Sequence, residues 1–125
     1  MNSPKLDIEK FLVTDEVPAG FIIGLEELGF SIGHIPKLSN EELYEKIGNY
    51  TGLVVNTSLV IDKAMLDKAV KLKYILRPGS GLDNIDIDYA AKKNVLVFNS
   101  PEANRDAVAE HVIGMLLGQI RRAHV

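Results

Sequence analysis

Short apolar runs alternate with amphipathic helical patterns from one end of this chain to the other, and that rhythm leaves few folds open. Five runs rich in Val, Ile, Leu and Phe, at residues 11–14, 30–35, 53–56, 74–77 and 95–98, are expected to be strands. Their near-continuous apolar character fits strands buried on both faces, as a parallel sheet requires. The segments between them carry helix boundaries. Pro18 suits a first turn and Gly29 a C-terminal stop, and Ser39 with Glu42 three residues later spells a capping box. Asp62 and Asp86 fit as N-caps of the next two helices. A longer helix from about Asn104 sets Val108, Val112, Met115, Leu116 and Ile120 on one apolar face. Repeated βα units joined by right-handed crossovers predict an α/β fold, a flavodoxin-like open parallel five-stranded sheet with helices on both faces.

Composition narrows what such a sheet can serve. With 125 residues, 46% of them hydrophobic, the chain can bury one core without a metal or disulfide. It has no Cys, which removes disulfides, zinc ribbons and thiol catalysis and leaves a cytoplasmic location as the expectation. The 14 basic residues are outnumbered by 17 acidic ones and scattered, so no nucleic-acid partner is expected. The longest apolar stretches fall far short of the roughly 20 residues that span a bilayer, so no membrane partner is expected either. Asp7 and Glu9 interrupt the start too early for a signal peptide.

Ligands of open α/β sheets bind beyond the carboxyl ends of the strands. That rule points to the loops after Thr14, Asn56, Arg77 and Phe98. The most informative is the stretch 77–86, Arg-Pro-Gly-Ser-Gly-Leu-Asp-Asn-Ile-Asp, a glycine-rich turn directly behind an apolar strand. It is not a dinucleotide fingerprint, because Asn84 stands where GxGxxG needs Gly or Ala and no helix starts at once behind it. Gly79 and Gly81 around Ser80 instead allow a turn whose backbone N–H groups form a nest for a carboxylate. On this view Gly81 needs a conformation without a Cβ, so Gly81→Val is expected to strain the backbone. A plain strand-to-helix connector is the alternative.

The stretch 77–86, followed at the appropriate distance by a strand running into Asn99 and Pro101, then Asn104 and Ala109-Glu110-His111, resembles the D-2-hydroxyacid dehydrogenase family, phosphoglycerate dehydrogenases included. The resemblance is carried by residues 72–117; before Asn56 it rests on the βα rhythm alone. It implies a substrate-binding lobe over residues 1–103 and the start of an interdomain helix over 104–125. It further implies NAD as cofactor, a 2-hydroxy or 2-oxo acid as substrate and a homodimer as the assembly. Backbone amides near Ser80 and Gly81 would hold the substrate carboxylate, with Asn56, Thr57 and Ser58 flanking the cleft. The family's cofactor fingerprint and its catalytic Arg, Glu and His come later in the chain. No catalytic residue, metal site or tight NAD site is therefore expected within these 125 residues.

In one respect the sequence departs from the pattern. Many phosphoglycerate-type members carry an Arg where Asn56 stands, and a carboxamide offers hydrogen bonds but no charge. A hydroxyacid with an uncharged tail is then the expected substrate. His34, His111 and His124 read as surface or helix-packing residues, and Glu110 as a helix residue at a junction. A phosphorelay receiver would share the sheet order and the acidic pair Asp15 and Glu16. It fails because Asn56 and Asn99 occupy the places of its phosphate-accepting Asp and its Lys. A stand-alone small-molecule-binding or dimerisation module stays open. The final helix, ending without a glycine stop, is expected to expose Val112, Met115, Leu116 and Ile120 to a missing domain or a second copy.

Overall fold

The computed structural model describes residues 9–17, 19–55, 58–78, 81–99 and 105–123. Its five strands are β1 (Lys10–Val13), β2 (Ser31–His34), β3 (Gly52–Val54), β4 (Tyr74–Arg77) and β5 (Leu96–Asn99). Each lies within two residues of its expected run. All pair in parallel in the order β2-β1-β3-β4-β5, the doubly wound order expected from the sequence. The described residues also form the helices α1 (Ala19–Glu27), α2 (Asn40–Lys46), α3 (Lys63–Lys68), α4 (Ile87–Lys92) and α5 (Arg105–Ala123). A 3-10 turn, Ile47–Asn49, follows α2.

The helix ends obey local chemistry. Helix α1 stops at Gly29, whose φ of 100° places it in the left-handed region. Gly29 N–H donates to Glu26 O and Phe30 N–H to Leu25 O, the paired bonds of a Schellman motif, while Phe30 and Leu25 bury together. Ser39 and Glu42 form the reciprocal capping box on α2. The carboxylates of Asp62 and Asp86 accept from Met65 N and Tyr89 N and so cap α3 and α4. Pro18 lies outside the described residues.

Alternate residues of each strand face opposite layers, as a pleated strand dictates. Leu12, Leu53 and Ile75 point into an aliphatic layer with Leu43, Ile47, Met65, Leu66 and Ala90, beneath α2, α3 and α4. Phe11, Val13, Val54 and Leu76 point the other way, into a layer with Phe21, Leu25 and Phe30 that α1 and α5 close. Gly52 opens β3 because nothing larger fits: a Cβ there would come within 2.2 Å of the Phe11 ring. That ring meets Phe30 edge-on at 4.5 Å and stacks on Tyr74 at 6.2 Å.

Helix α5 corrects one expectation. Leu116 is 0% exposed, turned into the chain's own core rather than outward, and Met115 and Ile120 pack against the same layer. Ile113 sits over α1, its side chain 3.4 Å from where a Cβ on Gly24 would lie. Of the face read as a docking stripe, Leu116 is buried within the chain, and Met115 and Ile120 are partly buried. The side chains of Val108 and Val112 lie outside the described set. Among the described residues, no helix is long and apolar enough to cross a membrane.

Candidate functional site

The carboxyl ends of the strands form one rim, and β3 and β4, hydrogen-bonded neighbours, deliver their loops side by side onto it. Of the four residues expected to meet a ligand, Gly81 is described; Asn56, Thr57 and Ser80 lie outside the described residues. Gly81 itself corrects the reading of strain. No positive φ is found at Gly81, and among the described residues a Cβ would touch only the Arg77 Nη2 atom, at 3.7 Å, an ordinary contact. Its lack of a side chain keeps the approach to that guanidinium open instead.

Arg77, the last residue of β4, is the feature that sequence reading passed over. It is 6% exposed, and its Nη1 donates to Pro78 O at 3.0 Å. A guanidinium buried beside Gly81 brings positive charge to the start of that loop. The signal was present in the sequence, since an Arg ending an otherwise apolar run is placed where the strand meets the rim.

Side-chain bonds lace the rim together. Thr14 sends both its N–H and its hydroxyl to Val54 O, at 3.1 and 2.8 Å, which seals β1 against β3. His34 Nε2 donates to Asp15 O at 2.9 Å on the exposed outer edge. The carboxamide of Asn40 grips Val60 twice, donating to its carbonyl and accepting from its N–H. Asn84 Nδ2 donates to Leu59 O at 2.9 Å, and Ile61 and Ile85 form a parallel bridge.

Perturbed ionisation lies elsewhere. The backbone amide of Ser39, then its hydroxyl, holds the Glu42 carboxyl below its ordinary range. Hydrogen bonding from Tyr89 does the same to Asp67, while burial raises Tyr74. His34 stands three strands from β4, roughly 14 Å by ordinary strand spacing, so it does not reach Gly81 as a proton carrier.

The starts of α2, α3 and α4 do not fit the pyrophosphate of a dinucleotide. A free N-terminus with bare N–H groups is what such an anion needs. Carboxylates already occupy α3 and α4, and Ser39, Glu41 and Glu42 occupy α2. Helix α4 also begins only at Ile87, well behind Gly81.

Residues 11–115 match the family described as D-isomer specific 2-hydroxyacid dehydrogenase, catalytic domain. The chain belongs to this family. Among its relatives, a D-3-phosphoglycerate dehydrogenase of Methanocaldococcus jannaschii is 40% identical over 90% of this chain. The match covers 21% of that protein, so the chain spans about a fifth of the curated relative's length. A crystal structure from Pyrococcus horikoshii superposes with a TM-score of 0.71 at 28% identity, over 93% of this chain and 34% of that one. The NAD+-bound 3-phosphoglycerate dehydrogenase of Entamoeba histolytica superposes at 0.68 with 32% identity, over 87% of this chain and 38% of its own.

Proposed function

We propose that this chain is the substrate-binding part of an NAD-dependent oxidoreductase acting on the CH–OH group of a D-2-hydroxyacid, or on the 2-oxo acid in reverse. Residues 1–103 form the binding lobe and 104–125 begin the helix that leads to a cofactor domain. The substrate carboxylate is held by amides near Ser80 and Gly81 with the Arg77 charge beneath them, and Asn56 and Thr57 flank it. One observation carries this assignment: at the end of β4 the buried Arg77 guanidinium lies beside Gly81, whose Cβ position is 3.7 Å from Nη2, on the rim where β3 and β4 end side by side. The chain's own part is to bind and orient, because the described residues bring no proton carrier to the turn. Association into a homodimer and a cytoplasmic location belong to the same assignment.

The tail of the substrate remains to be chosen. Relatives named for phosphoglycerate favour a phosphorylated acid, whereas the uncharged carboxamide of Asn56 favours a neutral tail. NMR titration of the labelled 125-residue chain separates them. Pyruvate and D-lactate are expected to shift the Gly81 amide at lower concentration than D-3-phosphoglycerate does. The reverse order would restore the phosphorylated substrate, and no shift from any of the three would end the assignment. NADH titrated against the chain is expected to show no micromolar saturation, because the GxGxxG turn that seats its pyrophosphate is not found in the sequence and the starts of α2, α3 and α4 are already capped.

A further inference from the structure

The segment 58–61 is fixed more firmly than a surface connection needs. Leu59 and Ile61 are buried while Val60 between them is 51% exposed. Both backbone groups of Val60 are bonded to Asn40. The remaining bonds run to the β4 loop: Leu59 O accepts from the Asn84 carboxamide, Ile61 N–H donates to Asn84 O at 2.8 Å, and Asp86 N–H donates to Ile61 O at 2.9 Å. Asn84 therefore contributes its side chain and its carbonyl to one joint, three residues beyond Gly81. The strap on the far side of that joint follows directly on Asn56 and Thr57.

We propose that Asn84 is a positioning residue that locks the segments 58–61 and 84–86 at one spacing, so that the two sides of the proposed substrate site are held in register before a 2-oxo acid arrives. The inference rests on the proposed substrate site. Its physical content is preorganisation: loops ordered on folding impose no ordering cost on the ligand. The residue type follows from the bond. A carbonyl oxygen only accepts, so position 84 needs an N–H donor, and the isosteric carboxylate of Asn84→Asp would face Leu59 O as a repelling acceptor. This also explains why the glycine-rich stretch carries Asn at the place where a dinucleotide fingerprint would carry a third small residue.

Two readouts on the labelled 125-residue chain test it, using pyruvate as the probe. In the ligand-free chain, Asn84→Asp and Asn84→Ala are expected to speed hydrogen exchange at the Ile61 and Asp86 amides about tenfold, with Leu53 and Ile75 unchanged. With pyruvate, the wild-type chain is expected to show shifts at both Gly81 and Ser58. In the two variants the Ser58 response is expected to disappear while Gly81 still responds, with affinity weakened about fivefold. General destabilisation would not divide the two loops in that way. Unchanged exchange at Ile61, or a Ser58 response that persists in both variants, would overturn the proposal. If pyruvate shifts no amide of the wild-type chain, the substrate site fails and this positioning role with it. A faster Ile61 amide would then mark Asn84 as a structural staple alone.

Discussion

The two faces of the sheet are built from different material. The layer under α1 and α5 is aromatic and closed, with Phe11, Phe21 and Phe30 fully or almost fully buried and a ring pressed onto Gly52. The layer under α2, α3 and α4 is aliphatic, its helices are short, and its upper margin is the laced rim. Rings meeting a glycine demand one shape, whereas branched aliphatics tolerate small rearrangements. Substitutions on the aromatic face should therefore cost folding, and those along the margin of the aliphatic face should cost binding.

The hardest blow to that contrast falls at Gly52. A Cβ would meet Phe11 at 2.2 Å, and Phe30 and Tyr74 leave the ring nowhere to turn. Gly52→Val is expected to cost at least about 3 kcal/mol or to prevent folding. Gly52→Ala combined with Phe11→Leu should recover part of the loss. Urea denaturation of the two proteins decides; a Gly52→Ala chain as stable as wild type would mean that the aromatic layer yields more easily than its geometry implies.

Next comes Leu116→Glu, which places a carboxylate in the same closed layer. A loss of about 3 to 5 kcal/mol is expected from burying an unpaired charge. A thermal melt reads it, with light scattering alongside. Unaltered stability together with a change in mass would return Leu116 to the role of an intersubunit contact.

Much of this contrast was legible in the sequence, and the remainder was hidden for identifiable reasons. Strand positions followed from apolar runs, and Gly29, Ser39, Asp62 and Asp86 declared the helix ends because capping is chemistry within three or four residues. Gly52 was not anticipated, since its place in a strand depends on a ring forty-one positions earlier in the chain. The lacing by Asn40 and Asn84 joins residues 20 and 25 apart, and no periodicity reports such pairs. Asn40 carried a faint clue: it stands behind Ser39, which already caps α2, so its carboxamide was available for other use. On the apolar stripe of α5, Leu116 turns into the chain's own core and not outward, because amphipathicity says which side buries and not against what.

Gly81 sharpens the comparison from the rim. No positive φ is found there, and among the described residues the nearest atom to a Cβ is on the Arg77 guanidinium, at 3.7 Å. Gly81→Ala should leave stability within about 1 kcal/mol of wild type, with the stiffer unfolded chain helping slightly. Pyruvate affinity should nevertheless fall several-fold, because the methyl group covers the charge. Equal loss of folding and binding would erase the distinction between the two faces at this point.

The smallest effect lies on the outer surface of the aliphatic side, where Tyr89 donates to Asp67 and Lys93 Nζ stands 3.4 Å from the same carboxylate. Hydrogen bonding to Tyr89 lowers the Asp67 pKa, and the same bond raises that of Tyr89. The signs follow from linkage. A depressed carboxyl adds stability above its unfolded value, near 3.9, and loses it as pH falls through the lower folded value. A raised phenol adds stability below its unfolded value, near 10, and loses it as pH climbs through the higher folded one. Tyr89→Phe removes both contributions, so the melting temperature should drop by no more than about 2 °C at neutral pH, as exposed pairs contribute little. The variant and wild-type melting curves should converge towards both acid and alkaline extremes. A drop as large as that of Leu116→Glu would show that the α3–α4 surface, and not the aromatic layer, is where this fold is most easily broken.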